Sequence, residues 1–500
     1  MSTAKKFAGQ TALYGISTIA GRVLSFFLTP IYTRAYSTKT YGIFGSMYSY
    51  ASMLNSLLAF GMETTYFRYL NKHPDNKQQV YNNTFGAILT IATLFLLLTF
   101  PFAGSITKWI KVDNTTPFEQ YVIYTKYFIG ILIIDALCVI PFAKLRADGR
   151  PGRYGAIKLA NIIIFVGLNL CFIYVLPYIV NHNMSGASFI TPWFNKGWLG
   201  YVFLSNLIAA AATFIMLLPE LLQLRPKFNR ALFAEMLIYS WPVLIANFSY
   251  LINENLDKIL LGKLLPENVS ATQVGIYSAC AKISIFLSIF VNAFRLGAEP
   301  FFFSHAKNKN ATQTYARIMD YFVIAVCVIF VALVANIELL KYFIKGRDAT
   351  QTALYWSGIK VVPVLLFGYV SLGIYMNLSV WYKLTDQTKY GLYISGVGAL
   401  LTIVLNFIFI PYYGFIASAW ISLTAYASMM LLSYIWGQKN YPIPYNIKKN
   451  LAYIIISVVL VYVSFTLCNR NLFVGNGLLV LFGLTALYIE RKELKAIFSR

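Results

Sequence analysis

Charge is what this 500-residue sequence has least of. Only 12% of its residues are charged, against about 25% in a soluble domain, and that shortage points to a polytopic membrane protein. Acids are the scarcer sign, with 18 Asp and Glu against 41 Lys and Arg and a net charge of +23. In a soluble protein such an excess would suggest nucleic acid. Here the cations sit in short segments between apolar runs, the pattern that orients membrane helices, so nucleic acid is not an expected partner. The five cysteines, Cys138, Cys171, Cys280, Cys327 and Cys468, lie in or beside apolar runs with no pair at metal-ligand spacing. They read as small core hydrophobes, not as a disulfide or zinc framework. The three histidines, His73, His182 and His305, are scattered in loops and make no metal cluster. No P-loop signature is present, so ATP is not expected to drive the protein directly. No cofactor or metal is expected beyond a candidate H⁺ or Na⁺ coupling ion. No loop reaches the roughly 50 residues of a folded domain, so any chemistry must take place between helices.

What the chain has instead is apolar length: 58% of it is hydrophobic, with a mean hydropathy of +0.62. A span needs about 20 mostly apolar residues, and that criterion gives fourteen candidates. They cover roughly 9–30, 42–62, 83–106, 120–142, 156–180 and 197–219, then 234–256, 273–295, 316–340, 357–380, 391–411 and 414–437, then 450–468 and 472–490. Lys5 and Lys6 precede an apolar run too long for a signal-peptide core, so the first run is expected to be a span. With the N-terminus inside, inner segments carry roughly twice the Lys and Arg of outer ones, which predicts both termini in the cytoplasm. The segment from Lys341 to Arg347 runs against that rule.

The chain repeats itself. Phe7-Ala8 opens the first span and Phe233-Ala234 the seventh; Tyr41-Gly42-Ile43 opens the second and Val274-Gly275-Ile276 the eighth. Phe60-Gly61-Met62-Glu63 matches Leu296-Gly297-Ala298-Glu299, and Arg153-Tyr154-Gly155 matches Lys389-Tyr390-Gly391. Asn169 heads a segment that matches one beginning at Asn406. These matches keep one order, four of them at offsets of 233 to 237 residues and the first slightly less because the loop after the seventh span is longer, which predicts a parallel repeat of six helices. An even number of helices gives both copies the same orientation, with a pseudo-two-fold axis along the membrane normal and a cavity between the bundles. The expected fold is therefore all-α, about 14 transmembrane helices in two six-helix lobes plus two C-terminal helices. The lobes are expected at 1–225 and 226–440, with the extra pair and a cytoplasmic tail at 441–500.

Within the first span, Gly21-Arg22-Val-Leu-Ser-Phe-Phe-Leu-Thr-Pro-Ile-Tyr-Thr-Arg resembles the opening of polysaccharide-biosynthesis flippases. Tyr41-Gly42-Ile43-Phe44 and Glu63-Thr-Thr-Tyr-Phe-Arg68 extend the likeness, and Asp257-Lys258-Ile-Leu-Leu with Val274 to Lys282 resembles the second-half counterpart. The family is the Wzx-type O-antigen and capsule flippases of the multidrug/oligosaccharidyl-lipid/polysaccharide exporter superfamily. The resemblance implies alternating-access export of undecaprenyl-diphosphate-linked oligosaccharide from the cytoplasmic to the outer leaflet. The setting it implies is a bacterial inner membrane, with the bilayer, the lipid-linked oligosaccharide and other polysaccharide assembly proteins as partners.

Charges inside spans are costly and so are the candidate sites. Arg22 lies deep in the first span; its planar fork suits a diphosphate, and a buried pair with Asp135 is the structural alternative. Lys282 lies near mid-membrane in the eighth span, a cavity-facing anion ligand or a titrating lysine, against a structural pair with Asp257 or Glu254. Asp135 in the fourth span is either Arg22's partner or a coupling site. Glu254, Asp257 and Lys258 share a helix face at spacings of three and four, an interfacial ion cluster or an outer gate. Glu63 with Arg68, and Arg295 with Glu299, occupy repeat-related inner ends, gate candidates or solvated helix ends. The basic run from Lys144 to Arg153 reads as a topology determinant. A drug/cation antiporter of the same superfamily is the first rival reading, and few intramembrane carboxylates argue against it. A membrane glycosyltransferase or polymerase is the second, and the lack of an acidic pair in the first outer loop, or of any large outer loop, argues against that.

Overall fold

The computed structural model describes residues 26–225, 227–306, 308–385 and 387–498. Among these residues every regular element is helical and no strand is formed. In hydrocarbon each backbone N–H and C=O must bond within its own segment, and an apolar helix does this. The elements are α1 (Thr29–Ala35), α2 (Thr38–Ala59), α3 (Met62–Lys72), α4 (Lys77–Thr99), α5 (Phe118–Ala147), α6 (Pro151–Leu170) and α7 (Gly200–Met216). Then come α8 (Arg230–Leu264), α9 (Ser270–His305), α10 (Ala311–Ala335), α11 (Val362–Leu378), α12 (Lys389–Tyr413), α13 (Phe415–Asn440), α14 (Ile447–Tyr462) and α15 (Leu472–Phe498).

Among the described residues, 11 helices are long and apolar enough to cross a membrane. The first of the fourteen expected spans lies mostly outside the described residues. The second falls on α2, 22 residues long but rich in Ser and Tyr, and the sixth on α7, which has 17 residues. The third was drawn too long: α4 ends at Thr99, ahead of Pro101, and a separate short helix runs Ala103–Ile110. Proline lacks the N–H that would carry the helix through.

Helix ends follow local chemistry. The Ser37 hydroxyl accepts the Thr40 N–H at 3.2 Å to cap α2, and Asn229 Oδ1 accepts the Leu232 N–H at 3.1 Å to cap α8. Phe60 and Gly61 both adopt positive φ, 48° and 66°, and turn the chain from α2 into α3. Gly414, at φ 55° and ψ −137°, separates α12 from α13, where the sequence placed the break. Asn469 and Arg470, at 46° and 61°, make the tight turn ahead of α15.

The chain divides into two compact units, one ending at Gly275 and the other starting at Ile276, so the boundary falls within α9. In the first, α7 packs along α5 and α6, α8 packs along α2, and Tyr81, Tyr121, Tyr124 and Phe203 are buried. In the second, α11 packs against α13 and α10, α14 and α15 lie on α10, and Trp381 is buried with its indole N–H donating to Ser433 O at 3.1 Å.

Inside the first unit, α2 and the start of α9 meet through their glycines. A Cβ on Gly42 would lie 1.7 Å from Ala271 O, and one on Gly275 would lie 2.0 Å from Thr38 O. Each glycine thus faces the carbonyl four residues upstream of the other. Gly42 and Gly275 are themselves a repeat-matched pair.

Candidate functional site: a polar cavity in the first unit

Four helices of the first unit turn polar stripes toward one space, and single residues of two more close it. Ser52, Asn55, Ser56 and Ala59 come from α2. Asp135, Cys138, Val139, Phe142 and Arg146 come from α5, and Tyr154, Lys158 and Asn161 from α6. Asn206 and Thr213 of α7, Leu251 of α8 and Glu63 of α3 complete the wall. Spacings of three, four and seven place each set on one helix face. The cavity has a volume of about 580 Å³, within the range of small-ligand sites, roughly 300–1,000 Å³.

Charges enter this wall in matched pairs. Glu63 is ion-paired with Arg146. Asp135 is exposed to the cavity and accepts a hydrogen bond from Asn55 Nδ2 at 3.4 Å. The Lys158 ammonium lies 4.1 Å from the centre of the Phe142 ring, a cation–π contact. Two acids therefore balance two bases. The remaining polar groups are amides and hydroxyls: Asn161 Nδ2 donates to Ala209 O at 3.0 Å and Thr213 Oγ1 at 2.9 Å, and Asn206 Nδ2 donates to Tyr48 OH at 3.0 Å.

The second unit repeats this plan in a closed form. Glu299 pairs with Lys383 at 2.7 Å, an ion pair offset from Glu63–Arg146 by about 236 residues, the spacing of the sequence repeat. Arg295, Glu299, Asn377 and Lys383 line a cleft there with Val291, Phe294, Phe302 and Met376. It encloses only about 10 Å³, because aromatic and aliphatic side chains fill it.

The residues singled out in the sequence are thus dispersed. Arg22 lies outside the described residues. Lys282 sits on α9 in the second unit, half-buried between the fully buried Cys280 and Ile283. Asp135 and Glu63 meet in the first-unit cavity, but Glu63 pairs with Arg146 and not with Arg68, whose guanidinium stacks 4.2 Å above the Tyr239 ring. Glu299 likewise pairs with Lys383 and not with Arg295. On α8, Lys258 Nζ reaches Asp257 Oδ1 at 3.1 Å and Glu254 O at 2.9 Å, with Asp257 buried. Sequence reasoning passed over Asn55, Asn161 and Asn206 entirely, did not single out Lys158, and took Arg146 for a topology charge. A polar stripe at helical spacing on otherwise apolar spans was the available signal.

A further cluster lies on the loop between α4 and α5. Asp113 is buried; it accepts the Thr116 N–H at 2.8 Å, the Thr115 N–H at 3.1 Å and the Tyr121 hydroxyl at 2.8 Å, with Lys39 Nζ at 3.5 Å. Burial pushes its pKa up, but the Thr116 amide and the hydroxyls of Tyr121, Thr115 and Thr116 outweigh that and hold the carboxyl below its usual range. Lys263 donates to the Trp109 and Lys111 carbonyls, and Ser270 to the Val112 carbonyl, so this loop ties α8 to α9.

Fold and cavity together define a polytopic α-helical membrane protein with a polar-lined chamber among its helices. The fold is similar to that of solved structures of MOP superfamily transporters. The structure of the lipid II flippase MurJ in an inward closed conformation superposes with a TM-score of 0.72 at 14% identity, covering 97% of this chain and 100% of that one. An inward-facing multidrug resistance MATE transporter of the MOP superfamily gives 0.66 at 13% identity, over 83% of this chain and 93% of that one. A MOP transporter from Pyrococcus furiosus, described as having a binding pocket of reversed polarity, gives 0.61 at 13%, over 86% and 95%. Residues 242–408 match the MatE family model. No curated protein matches the chain by sequence. The matched proteins are transporters and flippases, not enzymes.

Proposed function

We propose that this protein translocates undecaprenyl-diphosphate-linked oligosaccharide from the cytoplasmic to the outer leaflet by alternating access, for surface polysaccharide assembly. The observation that carries the reading is the first-unit cavity: about 580 Å³ of charge-balanced, amide- and hydroxyl-lined space among membrane helices. Such a wall suits a hydrophilic cargo better than a lipophilic one, because buried polar groups left without partners cost roughly 1–3 kcal/mol each. Support comes also from the flippase likeness, which extends over 97% of the chain and so takes in α14 and α15, against 83% for the multidrug transporter. In this reading the lobes run 1–225 and 226–440 with a helix pair at 441–500, both termini face the cytoplasm of a bacterial inner membrane, and Arg22 and Lys282 contact the diphosphate. Asp135 is a candidate coupling group. Glu63, Arg68, Arg295 and Glu299 serve as inner-gate charges, and Glu254, Asp257 and Lys258 as outer ones.

The drug/cation antiporter is the second reading, favoured by the MatE match over 242–408 and by the cavity-exposed Asp135. Proteoliposomes separate the two. Fluorescent lipid-linked oligosaccharide should reach the opposite leaflet without ATP, while a proton or sodium gradient should expel no lipophilic cation. If Arg22→Ala and Lys282→Ala both flip the lipid at the normal rate, the diphosphate assignment is wrong.

A further inference from the structure

The hydrogen bonds of the first-unit cavity are spent unevenly. Asn55 Nδ2 is committed to Asp135 Oδ2, and Asn161 Nδ2 to Ala209 O and Thr213 Oγ1. Each bond fixes an amide so that its carbonyl oxygen is the end left over. Among the described residues, Asn55 Oδ1, Asn161 Oδ1 and Asp135 Oδ1 receive no hydrogen bond from the protein, and all three side chains line the cavity. Lys158 supplies the complementary group: its ammonium rests on the Phe142 ring and donates no hydrogen bond among the described residues. These groups come from three different helices, α2, α5 and α6, so they surround the space instead of forming one local motif.

Charge decides what they can hold. Glu63 and Arg146 neutralise one another, and Asp135 is matched by Lys158, so the wall carries no surplus charge of either sign. A diphosphate would find one cation offset by an acid, and an organic cation would find the reverse. A neutral ligand dense in hydroxyls fits best, since each hydroxyl donates to a carbonyl or carboxylate oxygen and can accept from an ammonium. At the repeat-related place in the second unit the ion pair recurs but the cleft is small: Val291 and Met376 stand at the places of Asn55 and Val139, and only about 10 Å³ is left.

We infer that the first-unit cavity is a glycan site, in which Asn55, Asp135, Lys158 and Asn161 hydrogen-bond the sugar hydroxyls of the cargo while its diphosphate is held elsewhere. The inference rests on the flippase reading and adds to it an asymmetry: the first unit recognises sugar and the second does not. Asn161 is the discriminating residue, because its amide orientation is fixed by two acceptors and its free oxygen has no other role.

The test compares two lipids on purified full-length protein: undecaprenyl diphosphate carrying a pyranose disaccharide, and undecaprenyl diphosphate alone. The wild type should bind the glycosylated lipid at least tenfold more tightly. Asn161→Leu should erase that preference, and Asn161→Asp, which keeps an acceptor oxygen, should retain most of it. Asn55→Leu should reduce the preference as well, and each variant's melting temperature reports whether it has folded. If Asn161→Leu folds and keeps the full tenfold preference, the sugar site is elsewhere. If the wild type binds neither lipid, the flippase reading fails with it; if it binds both equally, the flippase reading stands and the glycan site falls.

Discussion

At the residue scale, the buried acid Asp113 shows how local bonding sets a titration. Its folded pKa lies below the ordinary carboxylate value, so its contribution to stability is fully present above the unfolded value of 3.8 and is lost as pH falls through the lowered folded value. Asp113→Asn should therefore lower the melting temperature in detergent at pH 7, by the equivalent of about 1–3 kcal/mol. The gap to wild type should narrow below pH 4; a gap unchanged from pH 7 to pH 3 would contradict this assignment. Asp113 was not legible beforehand, because its partners Thr115, Thr116 and Tyr121 look like ordinary loop and helix-start residues until the loop folds back on itself. Glu63 was legible as a special position, but its partner was not: Arg146 lies 83 residues away, and only packing of α3 against α5 brings them together.

At the scale of elements, the meeting of α2 and α9 depends on having no side chain at Gly42 and Gly275. Gly42→Ala or Gly275→Ala should force these helices apart or overpack them, at about 1–3 kcal/mol, read as a lowered melting temperature. Gly396→Ala on α12 is the control: nothing lies within 4 Å of its would-be Cβ, and alanine is the better helix former there by roughly 0.5–1 kcal/mol. A Gly42 variant as stable as the Gly396 variant would refute the close approach. In the second unit, Lys449 joins Glu490 at 2.7 Å and Asp320 at 3.8 Å, with Asn450 donating to Asp320 and Tyr453 to Glu490. Lys449→Leu removes the cation paired with the buried Glu490 and should cost about 3–5 kcal/mol, detectable as increased proteolysis between α13 and α14. Most elements were readable from apolar length and from punctuation such as Gly414 and Asn469. The break at Pro101 was missed because the apolar run continues on either side of it.

At the scale of the whole molecule, the repeat was legible as five short matches in one order, four of them at nearly one offset, and the structure gives it physical content. Repeat-matched Gly42 and Gly275 face each other, and the Glu63–Arg146 and Glu299–Lys383 pairs recur at nearly the same offset. Repeat-matched Asn169 and Asn406 are both buried and both donate to the carbonyl four residues upstream. What the repeat could not reveal is where the two copies differ. One copy encloses a hydrophilic chamber and the other a filled cleft, a difference that turns on a few substitutions such as Asn55 against Val291.

The most direct measurement is translocation by the purified wild-type protein in proteoliposomes without nucleotide. Fluorescence of a labelled, diphosphate-linked oligosaccharide on the inner leaflet, initially protected from dithionite, should become quenchable at a rate well above that of protein-free vesicles. Asn161→Leu should slow this at limiting substrate. A wild-type protein that leaves the labelled lipid in its original leaflet, while exchanging an organic cation for protons or sodium, would contradict the account.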